Sequence, residues 1–420
     1  MVFHLPTELL SSILIHLSPR GLLVSAAVCR EWERATDSLA RVQCIDRGVT
    51  EMGRWCILRS WRVQLQGRPY RRGGWRVSHQ LGSAGTRRTP RTRTFDKPTA
   101  VVALPGERAL VANSGSHCLT VVSLVSGATI LMLPLDGVPC GVCLMPRVAR
   151  SAGDAAEVVV VSVQGESESG VPEPGVINTA HRLEAYDLCA LGAPRLWVYT
   201  PAMPPLSYPN GIAFSPELDA LHVCDWNNHR VLTLRMAESG QPIRRDVVHD
   251  EPDDVAVLDQ RWRPADVAVL PLPVAGGIIA CVDYYGNAAR LFVRGVGSAQ
   301  YAECAAVGAK RRSRKPCLER PSGIAVDPSS TLSSGSDRVR ILISETGAQC
   351  ISVFEIRLLT AEAMPQVQLS CSHLCDMGVE QLGSGLHAPL RGLWGWLGIS
   401  CTAAGDVLVA DCDNRCLLVL

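Results

Sequence analysis

Acidic side chains recur at one position of the sequence, where an apolar run passes into a polar turn. Carboxylates in such a place could bind a divalent cation, act as general acids and bases, or accept hydrogen bonds from the backbone of the turn. A catalytic site combines unlike groups once, whereas these residues repeat in equivalent places, which favours the turn interpretation. They are Asp225, Asp283, Glu345 and Asp411.

Cysteines with the spacing of metal ligands occur at three places. Structural zinc sites usually combine two such pairs, and none of the three has a second pair beside it. We therefore expect no bound metal, and we interpret the 17 cysteines as buried thiols in a reducing compartment. The three candidates are Cys140 with Cys143; Cys371, His373 and Cys375; and Cys412 with Cys416.

The sequence lacks the usual signatures of covalent, zinc-dependent and nucleotide chemistry. It has no G-x-S-x-G, no H-E-x-x-H and no G-x-x-x-x-G-K-[ST] pattern. We therefore expect a non-catalytic protein without a cofactor.

The first 50 residues contain apolar side chains at helical spacing. Leu9, Ile13 and Leu17 fall on one face, Pro19 ends the pattern, and a second apolar series starts at Leu22. The spacing predicts two short helices with too small a core to be stable alone. Such a unit needs a partner surface.

This segment resembles an F-box. The pattern L-P-x-E-[LI]-L, then I-L-x-x-L, a leucine and V-C-[RK]-x-W occupies residues 5–10, 13–17, 22 and 28–32. F-box domains bind a Skp-type adaptor, which binds a cullin scaffold. A helical hairpin packed on the rest of the protein is the alternative. The resemblance implies that the Skp contact, or the core behind it, involves Leu5, Pro6, Leu9, Leu10, Ile13, Leu14, Leu17, Leu22, Val28, Cys29 and Trp32.

A phrase that recurs six times organises the rest of the chain. Its clearest form is P-x-G-I-A-[VF], and each copy precedes an apolar strand, a polar turn and another strand. Proline suits the start of a strand, glycine allows close backbone approach, and Asp and Asn favour turns. The repeat predicts the blades of a propeller. The copies begin at Pro98, Pro139, Pro209, Pro264, Pro321 and Trp396.

The phrase, with V-x-D-x-x-N-H-R-[VI] at residues 223–231, resembles the NHL-repeat family, which forms six-bladed β-propellers. The two resemblances together imply a small all-α F-box domain at residues 1–50 and an all-β propeller at residues 97–420, joined by an arginine-rich linker at 51–96. The sixth copy ends at its third strand, so residues 75–81 are predicted to add the fourth. A linker without order is the alternative.

Loops that precede each phrase and turns within each strand pair should share one face of a propeller. Aromatic residues and arginine are frequent anchors at interfaces. Packing between blades is the alternative for Tyr284 and Trp396. The predicted substrate-binding face consists of Tyr208, Asn210, Trp226, Asn228, His229, Tyr284, Tyr285, Arg320, Trp394, Trp396 and Arg415.

Charge is distributed unevenly along the chain. Residues 54–95 contain eleven arginines and no acid, whereas residues 96–420 have a net charge of −9. The basic stretch could bind nucleic acid or dock on the acidic propeller, whose charge makes RNA binding the less favoured reading. Residues 310–315 resemble a nuclear import signal, although a solvated loop between blades has the same composition.

Secretory and membrane-spanning signals are missing from the sequence. The N-terminus has no basic region before its apolar residues, and the apolar run at 267–282 contains two prolines and two glycines. We expect a cytoplasmic or nuclear protein that does not contact membranes.

These patterns together predict a substrate-recognition adaptor of an SCF-type (Skp–cullin–F-box) ubiquitin ligase, whose propeller binds a target protein for proteasomal degradation. One alternative is an NHL propeller that binds RNA or protein outside ubiquitination. The other is a propeller hydrolase such as a lactonase, a class that resembles this fold and holds a cation on the central axis with Glu, Asn and Asp.

Overall fold

The structure is a computed structural model of the 420-residue chain. It describes residues 79–81, 95–146, 157–165, 180–190, 192–201, 205–237, 240–250, 262–274, 277–294, 301–308, 318–331, 337–348, 350–359, 367–377, 397–403, 405–413 and 415–420. The predicted all-α domain at 1–50 and most of the linker lie outside these ranges. No helix within them is long and apolar enough to cross a membrane.

Twenty-four described strands form six antiparallel sheets of four. Strand β1 (His79–Leu81) comes first. Blade 1 contains β2 (Pro98–Leu104), β3 (Arg108–Asn113), β4 (Cys118–Ser123) and β5 (Thr129–Pro134). Blade 2 contains β6 (Val138–Pro146), β7 (Glu157–Gln164), β8 (Arg182–Asp187) and β9 (Arg195–Tyr199). Blade 3 contains β10 (Pro209–Ser215), β11 (Ala220–Asp225), β12 (Arg230–Met236) and β13 (Pro242–Asp250).

The other three blades follow the same order. Blade 4 contains β14 (Pro264–Leu270), β15 (Ile278–Asp283), β16 (Ala288–Arg294) and β17 (Tyr301–Val307). Blade 5 contains β18 (Pro321–Asp327), β19 (Arg338–Glu345), β20 (Cys350–Leu359) and β21 (Gln368–Met377). Blade 6 contains β22 (Leu397–Cys401), β23 (Val407–Asp411) and β24 (Cys416–Val419), with β1 as its outer strand.

The first strands of the blades form a closed inner ring. Each contacts the first strands of both neighbouring blades, and β22 of blade 6 contacts β2 of blade 1. The molecule therefore contains a six-bladed β-propeller, as the six copies of the phrase predicted.

The sixth blade joins strands that are far apart in sequence. Strand β1 pairs antiparallel with β24, with His79 opposite Val419 and Leu81 opposite Leu417. The first part of the segment expected to close the ring, residues 75–78, lies outside the described residues. The pairing of β1 ties the stretch upstream of the propeller to its last blade.

The core consists of apolar layers between adjacent blades. Leu221 and Val223 of β11 pack toward blade 2, whereas Cys224 of the same strand packs toward blade 4. Successive side chains of a strand point to opposite faces, and both faces of each sheet are covered. For this reason a second strand such as β15 reads as an apolar run rather than as an alternating pattern.

One of the buried histidines, His222, lies within this core. His222 of β11 is fully buried, and its Nδ1 lies 3.0 Å from Thr233 Oγ1. Burial, with help from the positive charges of Arg235 and Arg294, lowers the pKa of His222 to about 3. The imidazole is therefore neutral in the folded protein at neutral and mildly acidic pH.

Replacing His222 with glutamine should flatten the acid side of the stability profile. Below its ordinary pKa of 6.5, the histidine binds a proton in the unfolded chain but not in the folded one. This histidine leaves the free energy of unfolding unchanged above pH 6.5. As the pH falls toward 3 it lowers that free energy, by about 2 kcal/mol at pH 5. Urea denaturation at pH 7 and pH 5 measures this difference.

Exposed His117 provides the matched control for this experiment. His117→Gln should keep the wild-type difference between the two pH values, whereas His222→Gln should reduce it. An undiminished difference in His222→Gln would contradict the assignment.

Candidate functional site

One end of every blade is built from two kinds of loop. The first residue of the first strand pairs with the last residue of the second, as Pro209 does with Asp225 and Pro264 with Asp283. The residues that precede a first strand therefore lie beside the turn that follows the second strand. We call the surface formed by these two kinds of loop the entry face.

The recurring acidic residues hold these loops together. Asp225 Oδ1 accepts a hydrogen bond from the Ser207 N–H at 2.7 Å, and Asp283 Oδ1 accepts one from the Arg263 N–H at 3.2 Å. In blade 5, Glu345 Oε2 accepts one from the Glu319 N–H at 2.6 Å. These three carboxylates serve the turn structure of separate blades, and the structure does not bring them together in one site.

Other recurring residues of the entry face share a left-handed backbone conformation. Seven non-glycine residues have φ between 49° and 54° at these loops. Positive φ is uncommon for residues other than glycine, so each repeat imposes the same backbone geometry. They are Lys97, Tyr208 and Arg320 before first strands, and His117, His229, Asn287 and Arg415 at the ends of turns.

Three aromatic side chains meet on the entry face between blades 3 and 4. The rings of Trp226 and Tyr284 are 5.5 Å apart, and those of Tyr284 and Tyr285 are 5.1 Å apart, both edge to face. Tyr285 is 41% exposed, and the other two are half-buried. We call Trp226, Tyr284 and Tyr285 the aromatic cluster.

Two arginines flank the aromatic cluster. Arg263 lies over the Trp226 ring with 5.7 Å from Cζ to the centroid, and its Nη1 donates to Asn227 Oδ1 at 2.8 Å. On the other side, burial raises the pKa of Tyr284, and the hydrogen bond and charge of exposed Arg320 oppose that rise. Each guanidinium thus reaches from the loop before its own blade to the turn of the preceding blade, beside an exposed aromatic surface.

Two residues predicted for this face are buried instead. Asn210 Oδ1 accepts a hydrogen bond from Gln164 Nε2 at 3.2 Å, and His229 Nδ1 lies 2.9 Å from the Trp262 carbonyl oxygen. Both side chains connect neighbouring blades, because the repeat uses these positions for internal contacts. They are not available to a partner on the surface.

The remaining predicted residues are spread around the entry face. Asn228 donates to Asp225 Oδ2 at 2.8 Å and stabilises its own turn. The Tyr208 ring packs at a tilt of 48° against His181, with 4.7 Å between the ring centroids. Arg415 pairs with Asp96 at 3.1 Å between blades 6 and 1. Trp394 and Trp396 lie outside the described residues.

The structure therefore brings together Trp226, Tyr284, Tyr285 and Arg320 from the predicted set, and it adds Arg263. The sequence contained a signal for Arg263. It stands directly before Pro264, as Tyr208 and Arg320 stand before their own prolines.

A cavity of about 310 Å³ on the propeller axis is lined by the first strands of all six blades. The third residue of the repeated phrase is Gly in four blades, Ala100 in blade 1 and Asp266 in blade 4. Among the lining residues that the structure describes, Asp266 is the one with an acidic side chain.

Asp266 is engaged by the backbone of two blades. Its Oδ1 accepts a hydrogen bond from the Val267 N–H at 2.9 Å, and its Oδ2 accepts one from the Ile324 N–H at 3.0 Å. Burial raises the pKa of Asp266 to about 7, and these two hydrogen bonds oppose the rise. The carboxylate connects blades 4 and 5 and has no second acid beside it in the described lining, as a carboxylate pair would require.

The twelve cysteines whose side chains the structure describes are free thiols. Burial raises the pKa of Cys140 and of Cys143 to about 12, which suits inert thiols. One group of side chains within the described ranges does have the spacing of metal ligands, namely Glu345, Cys350 and Asp376 of blade 5.

Several solved structures are similar to the propeller. A streptogramin B lyase is 10% identical with a TM-score of 0.43, over 81% of this chain and 96% of its own. A putative 6-phosphogluconolactonase from Bacteroides uniformis is 15% identical with a TM-score of 0.46, over 77% and 81%. A virginiamycin B lyase from Staphylococcus aureus with quinupristin is 14% identical with a TM-score of 0.42, over 81% and 98%.

A family model matches the N-terminal segment of the chain. No curated protein sequence matches the chain. The F-box-like family model matches residues 2–46, which include all the residues of the motif between Leu5 and Trp32. The chain thus has an F-box-like segment followed by a six-bladed β-propeller.

Proposed function

We propose that this chain is a non-catalytic substrate-recognition adaptor of an SCF-type ubiquitin ligase. The F-box-like segment binds a Skp-type adaptor and, through it, a cullin scaffold. The propeller, which we propose is of the NHL type, binds the target protein with its entry face. The observation that carries the proposal is the F-box-like match at residues 2–46 ahead of a propeller with an exposed aromatic surface.

The aromatic cluster is the best-supported part of the target-binding surface. Tryptophan, tyrosine and arginine are the residue types that contribute most to the free energy of binding at protein interfaces. The cluster and its two arginines combine these types in adjoining loops of blades 3, 4 and 5. Their positions are set by intramolecular contacts, so little conformational entropy is lost on binding.

A non-catalytic role fits the contacts of the acidic residues. Asp225, Asp283 and Glu345 accept hydrogen bonds from loop backbone in three different blades. Asp266 is held by two backbone N–H groups on the axis. These interactions are those of structural residues.

The double substitution Leu9→Ala with Leu14→Ala tests the proposal. The full chain should co-purify with a co-expressed Skp-type adaptor, and the double variant should lose that adaptor because two apolar contacts of the motif are removed. Val125→Ala, which truncates an exposed residue of blade 1, is the control and should bind as the wild type does. Undiminished binding by the double variant would refute the proposal.

Truncating the aromatic cluster should weaken binding of the target. Trp226→Ala is expected to cost about 2 kcal/mol of binding free energy, a reduction in affinity of roughly 30-fold. The target is first identified by proximity labelling with the full chain, and its affinity is then measured by calorimetry. Exposed Tyr285→Ala tests the same surface with less risk to folding.

Exposed Ile130 on the outer strand of blade 1 supplies the control, since Ile130→Ala should leave the affinity unchanged. The Leu9/Leu14 double variant should also retain the target. Equal affinity in wild type, Trp226→Ala and Tyr285→Ala would place the target elsewhere. Crosslinking that recovers RNA in place of a protein would favour an RNA-binding propeller.

A further inference from the structure

Blade 5 differs from blades 3 and 4 in the group that faces the carboxylate after its second strand. Asp225 Oδ2 lies 2.7 Å from Arg230 Nη2, and Asp283 Oδ2 lies 3.2 Å from Arg290 Nη2. A guanidinium thus balances the negative charge in both blades, from either of two positions on the third strand.

Neither of these positions holds an arginine in blade 5. Cys350 lies opposite Glu345, as Arg230 lies opposite Asp225. Ser352 lies opposite the residue two before Glu345, which is the register of Arg290 in blade 4. A thiol and a hydroxyl therefore stand where the repeat elsewhere supplies a cation.

Blade 5 adds a second carboxylate at this place. Asp376 of β21 lies opposite Ser352, whose hydroxyl is 2.6 Å from Asp376 Oδ1 and also contacts Glu345 Oε1. The hydroxyl has one hydrogen and cannot donate to both carboxylates. Two acids that share one hydroxyl repel each other unless a cation or a proton is bound between them.

Cys350 completes a set of three ligand atoms. Its Sγ lies 3.5 Å from Glu345 Oε1, and the ligand atoms of Glu345, Cys350 and Asp376 all lie within 4.8 Å of one another. In tetrahedral zinc sites, the usual zinc–sulfur and zinc–oxygen distances place sulfur and oxygen about 3.5 Å apart. Glu345 and Cys350 are buried at 2% and 8% exposure, whereas Asp376 is open to solvent.

The donor set selects among cations. Calcium and magnesium prefer sites made of oxygen alone, whereas a thiolate with carboxylates suits zinc. His373 Nε2 lies 2.6 Å from Asp376 Oδ1, and such a hydrogen bond orients a ligating carboxylate.

We propose that Glu345, Cys350 and Asp376 form a zinc-binding site in blade 5, with His373 as the residue that positions Asp376. The bound ion takes the place that Arg230 and Arg290 occupy in blades 3 and 4. It also steadies the entry face, because Glu345 Oε2 accepts the Glu319 N–H and the Thr346 N–H donates to the Arg320 carbonyl oxygen at 3.0 Å.

Sequence spacing could not identify this set. Its members come from three strands and follow no short motif. Of the ligands considered in Cys371-Ser372-His373-Leu374-Cys375, His373 lies at the site, whereas Cys371 packs in the apolar layer between blades 4 and 5.

Cobalt(II) titration of the metal-free full chain tests the site. The wild type should bind one equivalent with the near-ultraviolet absorption of a cobalt–thiolate bond. Cys350→Ser should abolish that absorption. His373→Ala should keep it and weaken binding roughly 10- to 100-fold. Cys371→Ser is the matched control and should behave as the wild type.

Zinc-dependent stability gives a second readout that does not depend on cobalt. Zinc should raise the melting temperature of the wild type in proportion to the logarithm of its concentration above the dissociation constant. Asp376→Asn, an exposed substitution that should not disturb folding, should lose this response. Cobalt–thiolate absorption that survives Cys350→Ser, or a zinc response that survives Asp376→Asn, would overturn the proposal.

Discussion

Replacing Asp225 with alanine is expected to lower the free energy of unfolding by about 3 to 5 kcal/mol. Asp225 is fully buried and accepts hydrogen bonds from the Ser207 N–H, from Asn228 Nδ2 and from Arg230 Nε, at 2.7, 2.8 and 2.8 Å. The substitution leaves the buried Arg230 guanidinium without its counter-charge. It also releases the loop that precedes β10 from the turn of blade 3.

Urea denaturation of the propeller measures this effect, and two further variants calibrate it. Asp225→Asn keeps the shape of the side chain and removes its charge, so its cost should be smaller. Asp337→Ala breaks a pair with Arg357 that is 3.1 Å long but about half exposed on both sides, and it should cost at most about 1 kcal/mol. Equal losses in Asp225→Ala and Asp337→Ala would show that Asp225 does not hold the blade together.

The architecture of the propeller was predictable because each repeat contains short-range sequence signals for its own strands and turns. The prolines at 98, 209, 264 and 321 each begin a first strand, as the phrase predicts. Apolar runs such as residues 278–282 are continuous because blades cover both faces of each sheet. Neither signal depends on contacts between distant residues, so both can be recognised in the sequence.

The candidate site was predictable only in part, because one repeat position serves two purposes. The position of His229 is exposed in blade 1, where His117 occupies it, but His229 itself is buried against Trp262. Asn210 directly follows the proline of its phrase and faces Gln164 of the neighbouring blade. Which side of the backbone a loop residue faces depends on the adjacent blade, and the sequence pattern does not contain that information.

The group formed by Glu345, Cys350 and Asp376 in blade 5 shows a second limit of prediction from the sequence. Its ligands become adjacent only when β19, β20 and β21 pair in their observed register. The signal that remains in the sequence is a difference between repeats. Cys350 of blade 5 stands at the position of Arg230 in blade 3, and Ser352 stands at the position of Arg290 in blade 4. Comparison of repeats position by position is therefore more informative about function than the consensus that they share.

Gly141→Ala should lower the free energy of unfolding by about 3 kcal/mol. A Cβ at residue 141 would lie 2.2 Å from the Asn210 carbonyl oxygen and 3.0 Å from the Gly211 Cα. Both atoms belong to the backbone of β10, so a change of side-chain rotamer cannot relieve the clash. The methyl group can be accommodated only if blades 2 and 3 move apart, which is measured as a fall in the midpoint of urea denaturation.

The closed ring makes such a movement expensive. Each first strand contacts both of its neighbours, so blades 2 and 3 cannot separate without compressing or opening contacts elsewhere in the ring. Gly192→Ala is the control, because a Cβ there meets nothing within 4 Å and only its φ of 78° costs about 1 kcal/mol. Equal losses of unfolding free energy in Gly141→Ala and Gly192→Ala would show that the inner ring is looser than the close contacts of its strands imply. The repeated glycine would then need a reason other than the approach of neighbouring blades.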